Sequence, residues 1–258
     1  MNVGKLLRNG RCMILTYDHG LEHGPGEFTG NNADPEHVFD LALEGGFTAI
    51  ACHIGIAEKY YYGPYRDIPL IVKVNGSTTM PHINPVAAQL CSVERALKAG
   101  ASAIGFTIYD GSPNEPRMFE AFGKVCEQAH DYGLPVVAWM YPRGPGVREQ
   151  SNEALAYAAR IALELGADII KVKYNGDEEN LKWMTRLAGR AKVVISSGHR
   201  LSDIELLNEA KTAIGCGCIG IALGRAIWKH KKPYSLARAV KAVVLEEKPS
   251  LEAVQHLK

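Results

Sequence analysis

The chain has 258 residues, enough for one large domain or two small ones, and its apolar fraction of 47% is ordinary for a globular protein. The net charge is +1, which favours neither a nucleic acid nor an acidic membrane as partner. No run approaches the ~18 apolar residues of a membrane span, and nothing resembles a leader segment. The six cysteines are scattered, without zinc-site spacing. We therefore expect a cytoplasmic chain without nucleic-acid or membrane partners.

Eight short apolar runs alternate with helix-like segments along the whole chain. The runs predict strands at 12–18, 47–54, 70–75, 101–108, 135–141, 167–174, 192–197 and 218–223. The segments between them predict helices at 35–45, 87–99, 115–132, 152–165, 178–189, 202–213 and 235–247. Between the second and third strands, the stretch Tyr60-Tyr-Tyr-Gly-Pro64 is expected to replace a full helix. Eight such units predict a single (β/α)8 TIM barrel over residues 1–258. A doubly wound open sheet is the alternative, but the first strand is not followed by its GxGxxG turn.

In a barrel of this class, functional residues collect where strands end and the following loops begin. The first predicted strand ends in Asp18, and His19, Glu22 and His23 follow in a long loop. Two glycines and a proline argue against a helix there, and so against histidine metal ligands one helical turn apart. We predict no metal site and expect a histidine of this loop to bind a phosphate. Simple packing within the loop remains the alternative for His19.

The third and fifth predicted strands also end in polar residues. Lys73 ends the third strand and is expected to add positive charge to the cavity. Trp139 and Tyr141 share one face at the end of the fifth. A phenol in that position can carry a proton to and from a substrate hydroxyl, although a core tyrosine with a satisfied hydroxyl is the alternative. Arg143, in the Gly/Pro-rich loop beyond, suits an anion.

The sixth predicted strand carries two lysines, Lys171 and Lys173, which point to the same face because strand side chains alternate. Burial and mutual repulsion lower the proton affinity of at least one such amine. A neutral lysine is a nucleophile towards carbonyl carbons. The alternatives are an edge strand with both amines in water, or a paired structural lysine.

The seventh and eighth predicted strands are followed by Ser197-Gly198 and Gly224-Arg225. In phosphate-binding barrels these two loops and a short extra helix hold a phosphate with backbone N–H groups. Residues 226–228 are expected to form that helix.

Four motifs together resemble those of the archaeal-type class I fructose-bisphosphate aldolases, in the DeoC/LsrF-like group of Schiff-base aldolases. They are Tyr17-Asp-His-Gly-Leu-Glu-His-Gly-Pro25, Trp139-Met-Tyr-Pro-Arg-Gly144, Lys171-Val-Lys-Tyr-Asn-Gly-Asp177 and Gly220-Ile-Ala-Leu-Gly-Arg225. The resemblance implies a Schiff base on Lys173, with Tyr141 as acid and base and Asp18 positioning hydroxyls. Charge repulsion from Lys171 is expected to help keep the Lys173 amine neutral. It also implies a set of substrate-binding residues, namely His23, Arg143, Trp139, Ser197, Gly198, Gly224 and Arg225.

The implied activity is the reversible cleavage of fructose 1,6-bisphosphate to dihydroxyacetone phosphate and glyceraldehyde 3-phosphate, with no cofactor. The resemblance further implies a homo-oligomer, often a decamer, and the apolar tail 251–257 is a candidate contact. One alternative is another member of the group, similar to the aminodideoxyheptulosonate synthases or the LsrF-like thiolases. A metal-dependent aldolase using His19, Glu22 and His23 is a second. A barrel that only senses a sugar phosphate is a third.

Overall fold

The computed structural model describes residues 1–80, 84–197 and 201–257. Its strands, in chain order, are β1 (Cys12–Tyr17), β2 (Ala49–His53), β3 (Leu70–Lys73), β4 (Asn75–Gly76), β5 (Ala88–Gln89), β6 (Ala101–Ile108), β7 (Val136–Met140), β8 (Ile169–Lys173), β9 (Lys192–Ser196) and β10 (Gly220–Leu223). All except β4 and β5 form a closed barrel of parallel strands, in which each strand pairs with its neighbours in sequence and β10 pairs with β1. The strands β4 and β5 form a small antiparallel sheet above it.

The α-helices are α1 (His19–His23), α2 (Pro35–Glu44), α3 (Ile54–Tyr60), α4 (Val93–Lys98), α5 (Glu115–Asp131), α6 (Asn152–Glu164), α7 (Glu178–Leu187), α8 (Asp203–Gly215), α9 (Arg225–Trp228), α10 (Pro233–Val244) and α11 (Ser250–Ala253). Short 3-10 helices occupy Gly4–Leu6, Pro25–Glu27, Gly30–Ala33, Gly63–Asp67 and Val254–Leu257. Several α-helices begin at a Ser or Asp whose side chain accepts a backbone N–H of the first turn, as Ser151 does for α6. Gly166 follows the same helix with a φ of +97°, a conformation that favours glycine, and leads the chain into β8.

The predicted (β/α)8 barrel is confirmed, and each of the eight predicted strands supplies one barrel strand. The predicted helix at 87–99 is shorter, because Ala88–Gln89 pair with β4 before α4 begins. Between β2 and β3 the sequence suggested that an aromatic stretch replaces a full helix. The structure instead has α3 there, followed by a 3-10 helix.

The prediction that the loop after β1 contains no helix is wrong, because α1 forms directly after Asp18. The helix is a single turn. It ends at Gly24, whose φ is +85°, and Pro25 then begins a 3-10 helix. The glycine and the proline therefore terminate the helix rather than prevent it. Gly20 is tolerated because the ring of Phe28 packs where a side chain would be: a Cβ there would lie 3.1 Å from Phe28 Cε2.

The barrel interior is apolar at the end where the strands begin. Ile14, Ile71, Ile169 and Val194 form one buried cluster there. Leu6, in the 3-10 helix that precedes β1, is fully buried in the same cluster and closes this end. In the C-terminal part of the chain, α11 and the last 3-10 helix pack on α10 and α8. Within the described ranges, no helix is long and apolar enough to cross a membrane.

Candidate active site

A cavity of about 820 Å³ opens at the end of the barrel where the strands finish. Eight of the predicted site residues line it, namely His23, Tyr141, Arg143, Lys171, Lys173, Ser197, Gly224 and Arg225. Asp18 and Trp139 are buried beneath it and do not line it. Gly198 lies outside the described residues. Sequence reasoning therefore located the region, although two of its residues have no direct contact with the cavity.

The two lysines of β8 lie at different depths. Lys171 is 5% exposed, and its Nζ donates a hydrogen bond of 2.9 Å to the phenol oxygen of Tyr141. Burial lowers the pKa of Lys171 to about 8. Lys173, one pleat further along, is only half-buried, and burial also lowers its pKa, with Glu149 acting in the opposite direction. Lys171 is therefore the more desolvated amine and the one that donates a hydrogen bond to the phenol of Tyr141.

The phenol of Tyr141 is held in its protonated form. Burial raises its pKa well above the ordinary value, and the negative charges of Glu22 and Asp18 add to that effect. The ring of Tyr109 lies 6.2 Å away, and the hydroxyl of Tyr109 lies 3.1 Å from Ser77 Oγ. Tyr141 is therefore suited to donate a proton first, and it can accept one only when a nearby positive charge stabilises the phenolate.

An ion cluster lies beside Lys171. Lys73 is fully buried, and its Nζ donates to Asp18 Oδ2 at 2.8 Å and to Glu22 Oε1. Burial alone would lower the pKa of Lys73, but Asp18 and Glu22 raise it above its ordinary value. Burial alone would raise the pKa of Asp18, but Lys73 and other cations bring it below its ordinary value. Lys73 is therefore a permanent ammonium and Asp18 a permanent carboxylate.

Trp139 lies under both buried amines. Its ring centroid is 5.4 Å from Lys73 Nζ and 5.7 Å from Lys171 Nζ. Both distances are within the range in which an aromatic ring attracts a cation. Trp139 is fully buried and contacts these two lysines, and its contact with the substrate stays a prediction.

The histidines of α1 pack against each other and against α9. The rings of His19 and His23 are stacked with centroids 5.4 Å apart, and His19 meets Trp228 edge-on at 5.3 Å. Burial lowers the pKa of His19 to about 4, so this imidazole is neutral at pH 7. Gly224 leaves room for it, because a Cβ there would lie 2.4 Å from His19 Cε1. His23, less buried, lines the cavity.

The residues of the metal-dependent alternative do not converge. Glu22 is engaged by Lys73, while the two imidazoles of α1 stack on each other. In the three described ranges, no group of three His, Cys, Asp or Glu side chains is placed to hold a metal ion.

The predicted phosphate-binding side chains are held in place by carboxylates of the protein. Arg225 Nη1 donates to Glu27 Oε1 at 2.8 Å, and Arg143 Nε donates to Glu149 Oε1 at 3.2 Å. Arg225 begins α9, so the short helix predicted at this point is present. Arg143 and Arg225 both line the cavity, with Lys173 in its wall as a third cation. The arrangement suits a ligand with anionic groups at separate positions.

Sequence reasoning missed the part played by Glu22, which lines the cavity and carries a negative charge into it. It also missed the destination of Lys73, which is an ion pair and not the open cavity. The proximity of Lys73 and Asp18 could have been predicted in part, because both lie at the ends of barrel strands, where the side chains of alternate residues point inward.

The barrel, with a buried lysine at the end where its strands finish, suits an enzyme that forms a Schiff base with a carbonyl substrate. The chain belongs to the DeoC/LacD family of aldolases, whose family model matches residues 12–230. It is 44% identical over 241 residues to the class 1 fructose-bisphosphate aldolase of Thermoproteus tenax, covering 92% of this chain and 90% of that protein. The class 1 fructose-bisphosphate aldolase of Halobacterium salinarum is also 44% identical, over 250 residues, covering 96% of this chain and 95% of the relative.

Solved structures agree with the sequence comparisons. One is an archaeal fructose-1,6-bisphosphate aldolase with its catalytic lysine bound to the carbinolamine intermediate of the substrate. It superposes with a TM-score of 0.88 at 43% identity, covering 92% of this chain and 94% of that one. The fructose-bisphosphate aldolase of Slackia heliotrinireducens gives a TM-score of 0.89 at 31% identity, covering 96% and 85%.

Proposed function

We propose that this chain is a class I fructose-bisphosphate aldolase. It reversibly cleaves fructose 1,6-bisphosphate into dihydroxyacetone phosphate and glyceraldehyde 3-phosphate through a Schiff base on the protein. The observation that carries the proposal is a buried lysine with a lowered pKa, in contact with a phenol, in a cavity whose walls also carry cations. The identity to class 1 aldolases over most of the chain supports the same substrate.

Lys171, and not the predicted Lys173, is the amine that we assign to the Schiff base. A nucleophilic amine must be neutral, and the more desolvated amine loses its proton more readily. Lys171 is almost fully buried, whereas Lys173 is half-buried, and only Lys171 donates a hydrogen bond to Tyr141. An amine and an acid in direct contact can act on the same substrate carbon and oxygen without rearrangement.

The first half of the reaction uses the Tyr141 phenol as an acid. The neutral amine of Lys171 attacks the C2 ketone, and a proton moves from nitrogen to oxygen to give the carbinolamine. Tyr141 then donates its proton to the carbinolamine hydroxyl, which leaves as water. The products are a cationic iminium on Lys171 and a phenolate on Tyr141, each stabilising the other. The iminium withdraws electrons from the C3–C4 bond.

The second half uses the same phenolate as a base. It accepts the C4 hydroxyl proton as the C3–C4 bond breaks, which releases glyceraldehyde 3-phosphate and leaves an enamine. Tyr141 returns that proton to C3. Water then adds to the iminium, its proton passes to the phenolate, and collapse of the carbinolamine releases dihydroxyacetone phosphate. Glu22, charged and in the cavity wall, is placed to accept hydrogen bonds from substrate hydroxyls.

Cations and glycine loops of the cavity wall are assigned to the two phosphates of the substrate. His23 and Arg143, which both line the cavity, are assigned to the phosphate next to the aldehyde product. Lys173 joins the cationic wall, because its charge lies near those of Arg143 and Arg225. The phosphate next to the ketone is assigned to the loops at Ser197 and Gly224 to Arg225.

The test is a cleavage assay with purified protein and fructose 1,6-bisphosphate, together with inactivation by borohydride. We expect turnover to survive EDTA, and borohydride to inactivate the protein irreversibly only when dihydroxyacetone phosphate is present. Loss of turnover in EDTA without borohydride inactivation would support a metal-dependent aldolase instead. Binding of dihydroxyacetone phosphate without turnover or a reducible adduct would indicate a sensor.

A homo-oligomer in the cytoplasm remains part of the proposal. The support for a decamer is the family resemblance. The tail residue Leu251, 75% exposed, is one apolar side chain available for contact with another copy. Light scattering on the purified chain would give about ten times the chain mass of 28.1 kDa for a decamer. The mass of a single chain would contradict an oligomer.

A further inference from the structure

Two lysines and two carboxylates lie close together, with Lys171 and Glu22 lining the cavity and Lys73 and Asp18 buried beneath it, and only Lys73 holds the carboxylates. Lys73 bridges Asp18 and Glu22. Lys171 donates to the phenol of Tyr141. In the part of the chain that the structure describes, Lys171 forms no ion pair with a carboxylate. The two carboxylates therefore have one cation between them.

The barrel provides a specific space for this arrangement. Gly105 lies on β6, between the strand of Lys73 and the strand of Trp139. A Cβ at Gly105 would lie 2.8 Å from Trp139 Cζ3 and 3.0 Å from Lys73 Cγ. The stem of Lys73 and the indole thus fill the volume that a side chain on β6 would otherwise take. The Lys73 side chain reaches past β2 to Asp18, which follows β1, and to Glu22 of α1.

We propose that Lys73 is a positioning residue that occupies both Asp18 and Glu22 and so denies Lys171 a counter-ion. The inference rests on the proposed function, in which Lys171 must be a neutral amine to attack the ketone. Without Lys73, a buried carboxylate beside Lys171 would pair with the ammonium form and hold the proton on it. A second role follows from the same contacts, because Lys73 also ties α1, with its His23, to the barrel.

Titratable groups face Lys171 from several of the elements around it. They are Asp18 after β1, His19 and Glu22 of α1, Lys73 of β3, Tyr141 after β7 and Lys173 of β8. His19 and Tyr141 are neutral at pH 7 for the reasons given above. Two negative charges therefore face two positive charges other than that of Lys171. Removing a negative charge from this cluster should lower the pKa of Lys171, and removing a positive charge should raise it.

The experiment measures the rate of borohydride trapping with dihydroxyacetone phosphate as a function of pH. This half-reaction needs the neutral amine of Lys171 and the protonated phenol of Tyr141, and it does not need cleavage of the C3–C4 bond. In the unaltered protein we expect the rate to rise with pH, with a midpoint near 8. Glu22→Gln removes a negative charge, so the midpoint should fall by about one pH unit. Lys73→Met removes a positive charge, so the midpoint should rise by about the same amount.

The double variant Lys73→Met with Glu22→Gln removes one charge of each sign, and its midpoint should return towards that of the unaltered protein. Opposite shifts in the single variants and this return would support the proposal. Two results would overturn the proposal and leave Lys73 a structural residue. One is a smaller amount of trapped adduct with unchanged pH midpoints, and the other is a shift of both single-variant midpoints in the same direction. If Lys73→Met does not fold, Glu22→Gln alone still decides, since a midpoint that does not fall contradicts the charge balance.

Failure of the proposed function would look different. If Lys171 is not the trapped amine, the adduct forms on another residue or not at all in the unaltered protein, whatever its pH dependence. Failure of the charge-balance proposal leaves the adduct on Lys171 and changes only the response of its midpoint to the variants. Identification of the modified residue in the unaltered protein therefore separates the two failures.

Discussion

The two ends of the barrel interior are built from opposite chemistry. Where the strands begin, Leu6, Ile14 and Val194 form a closed apolar cluster. Where they finish, Lys73 and Asp18 are equally inaccessible but charged. Buried charges cost several kcal/mol unless they are paired, whereas buried apolar side chains contribute favourably. The apolar end stabilises a fold whose other end holds charged groups out of water.

The same change of chemistry occurs along β8. Ile169, Lys171 and Lys173 share one face of the strand, and they pass from the apolar cluster to the floor of the cavity and then to its wall. Their side chains become progressively more exposed in that order. Because desolvation changes along the strand, two lysines of identical chemistry receive different roles. Position along one strand, rather than residue type, separates an amine assigned to catalysis from one assigned to binding.

Replacing Lys171 should have the largest effect on activity. Lys171→Met removes the electron sink of the reaction, so we expect cleavage of fructose 1,6-bisphosphate to fall by at least about 10⁴-fold. No borohydride adduct should form with dihydroxyacetone phosphate. Steady-state cleavage and intact-protein mass spectrometry measure both. An adduct that persists in this variant at normal yield would assign the Schiff base elsewhere.

Replacing Tyr141 should separate the chemical steps. Tyr141→Phe keeps the amine, so an adduct should still be trapped, though more slowly because the carbinolamine loses its acid. Cleavage should fall by about 10²- to 10⁴-fold, the usual contribution of a positioned acid or base. The trapped fraction is compared with the cleavage rate in the same preparation. Equal losses in trapping and cleavage would mean that the phenol acts only before the imine.

Replacing Lys173 should affect substrate binding, whereas replacing Lys171 should affect catalysis. Lys173→Met removes a cation assigned to phosphate, so we expect KM for fructose 1,6-bisphosphate to rise by about 10-fold, the value of one charged hydrogen bond. The kcat should change by much less. Lys171→Met is the matched control on the same strand face. Loss of kcat with loss of the adduct in Lys173→Met would reverse the two roles.

The apolar end should respond in stability and not in chemistry. Leu6→Ala leaves a cavity beneath the barrel and should lower the free energy of unfolding by about 2–5 kcal/mol. The kcat of the folded fraction should not change. Leu251→Ala, at an exposed apolar position, is the control and should change stability by about 0.5 kcal/mol or less. Urea unfolding followed by circular dichroism measures both. Equal effects of the two substitutions would contradict a packed end.

The sequence predicted the barrel because each strand is a continuous apolar run and each helix has its own start and stop signals. The helix α1 was missed because glycine and proline signals do not say whether they prevent a helix or end one. The helix α3 was missed for a similar reason, because it ends at Tyr60, where an aromatic stretch with glycine and proline has the composition of a loop. In both segments, packing against neighbouring elements determines whether the chain is helical, and local composition does not.

The site could be predicted as a region but not as an arrangement. Strand alternation places Lys171 and Lys173 on one face, but it gives no depth, and depth is what separates them. The pairing of Lys73 with Asp18 joins residues 55 positions apart in sequence, and no local pattern encodes it. Glu22 was considered only as a metal ligand, because its partner Lys73 was expected in the open cavity.

The most direct measurement of the central claim is tryptic mapping of the protein after reduction with borohydride in the presence of dihydroxyacetone phosphate. Trypsin does not cleave after a modified lysine, so each candidate leaves a different peptide. An adduct on Lys171 joins residues 161–173 in one peptide, whereas an adduct on Lys173 joins residues 172–182. We predict the modified 161–173 peptide. The modified 172–182 peptide with an unmodified Lys171 would contradict the account.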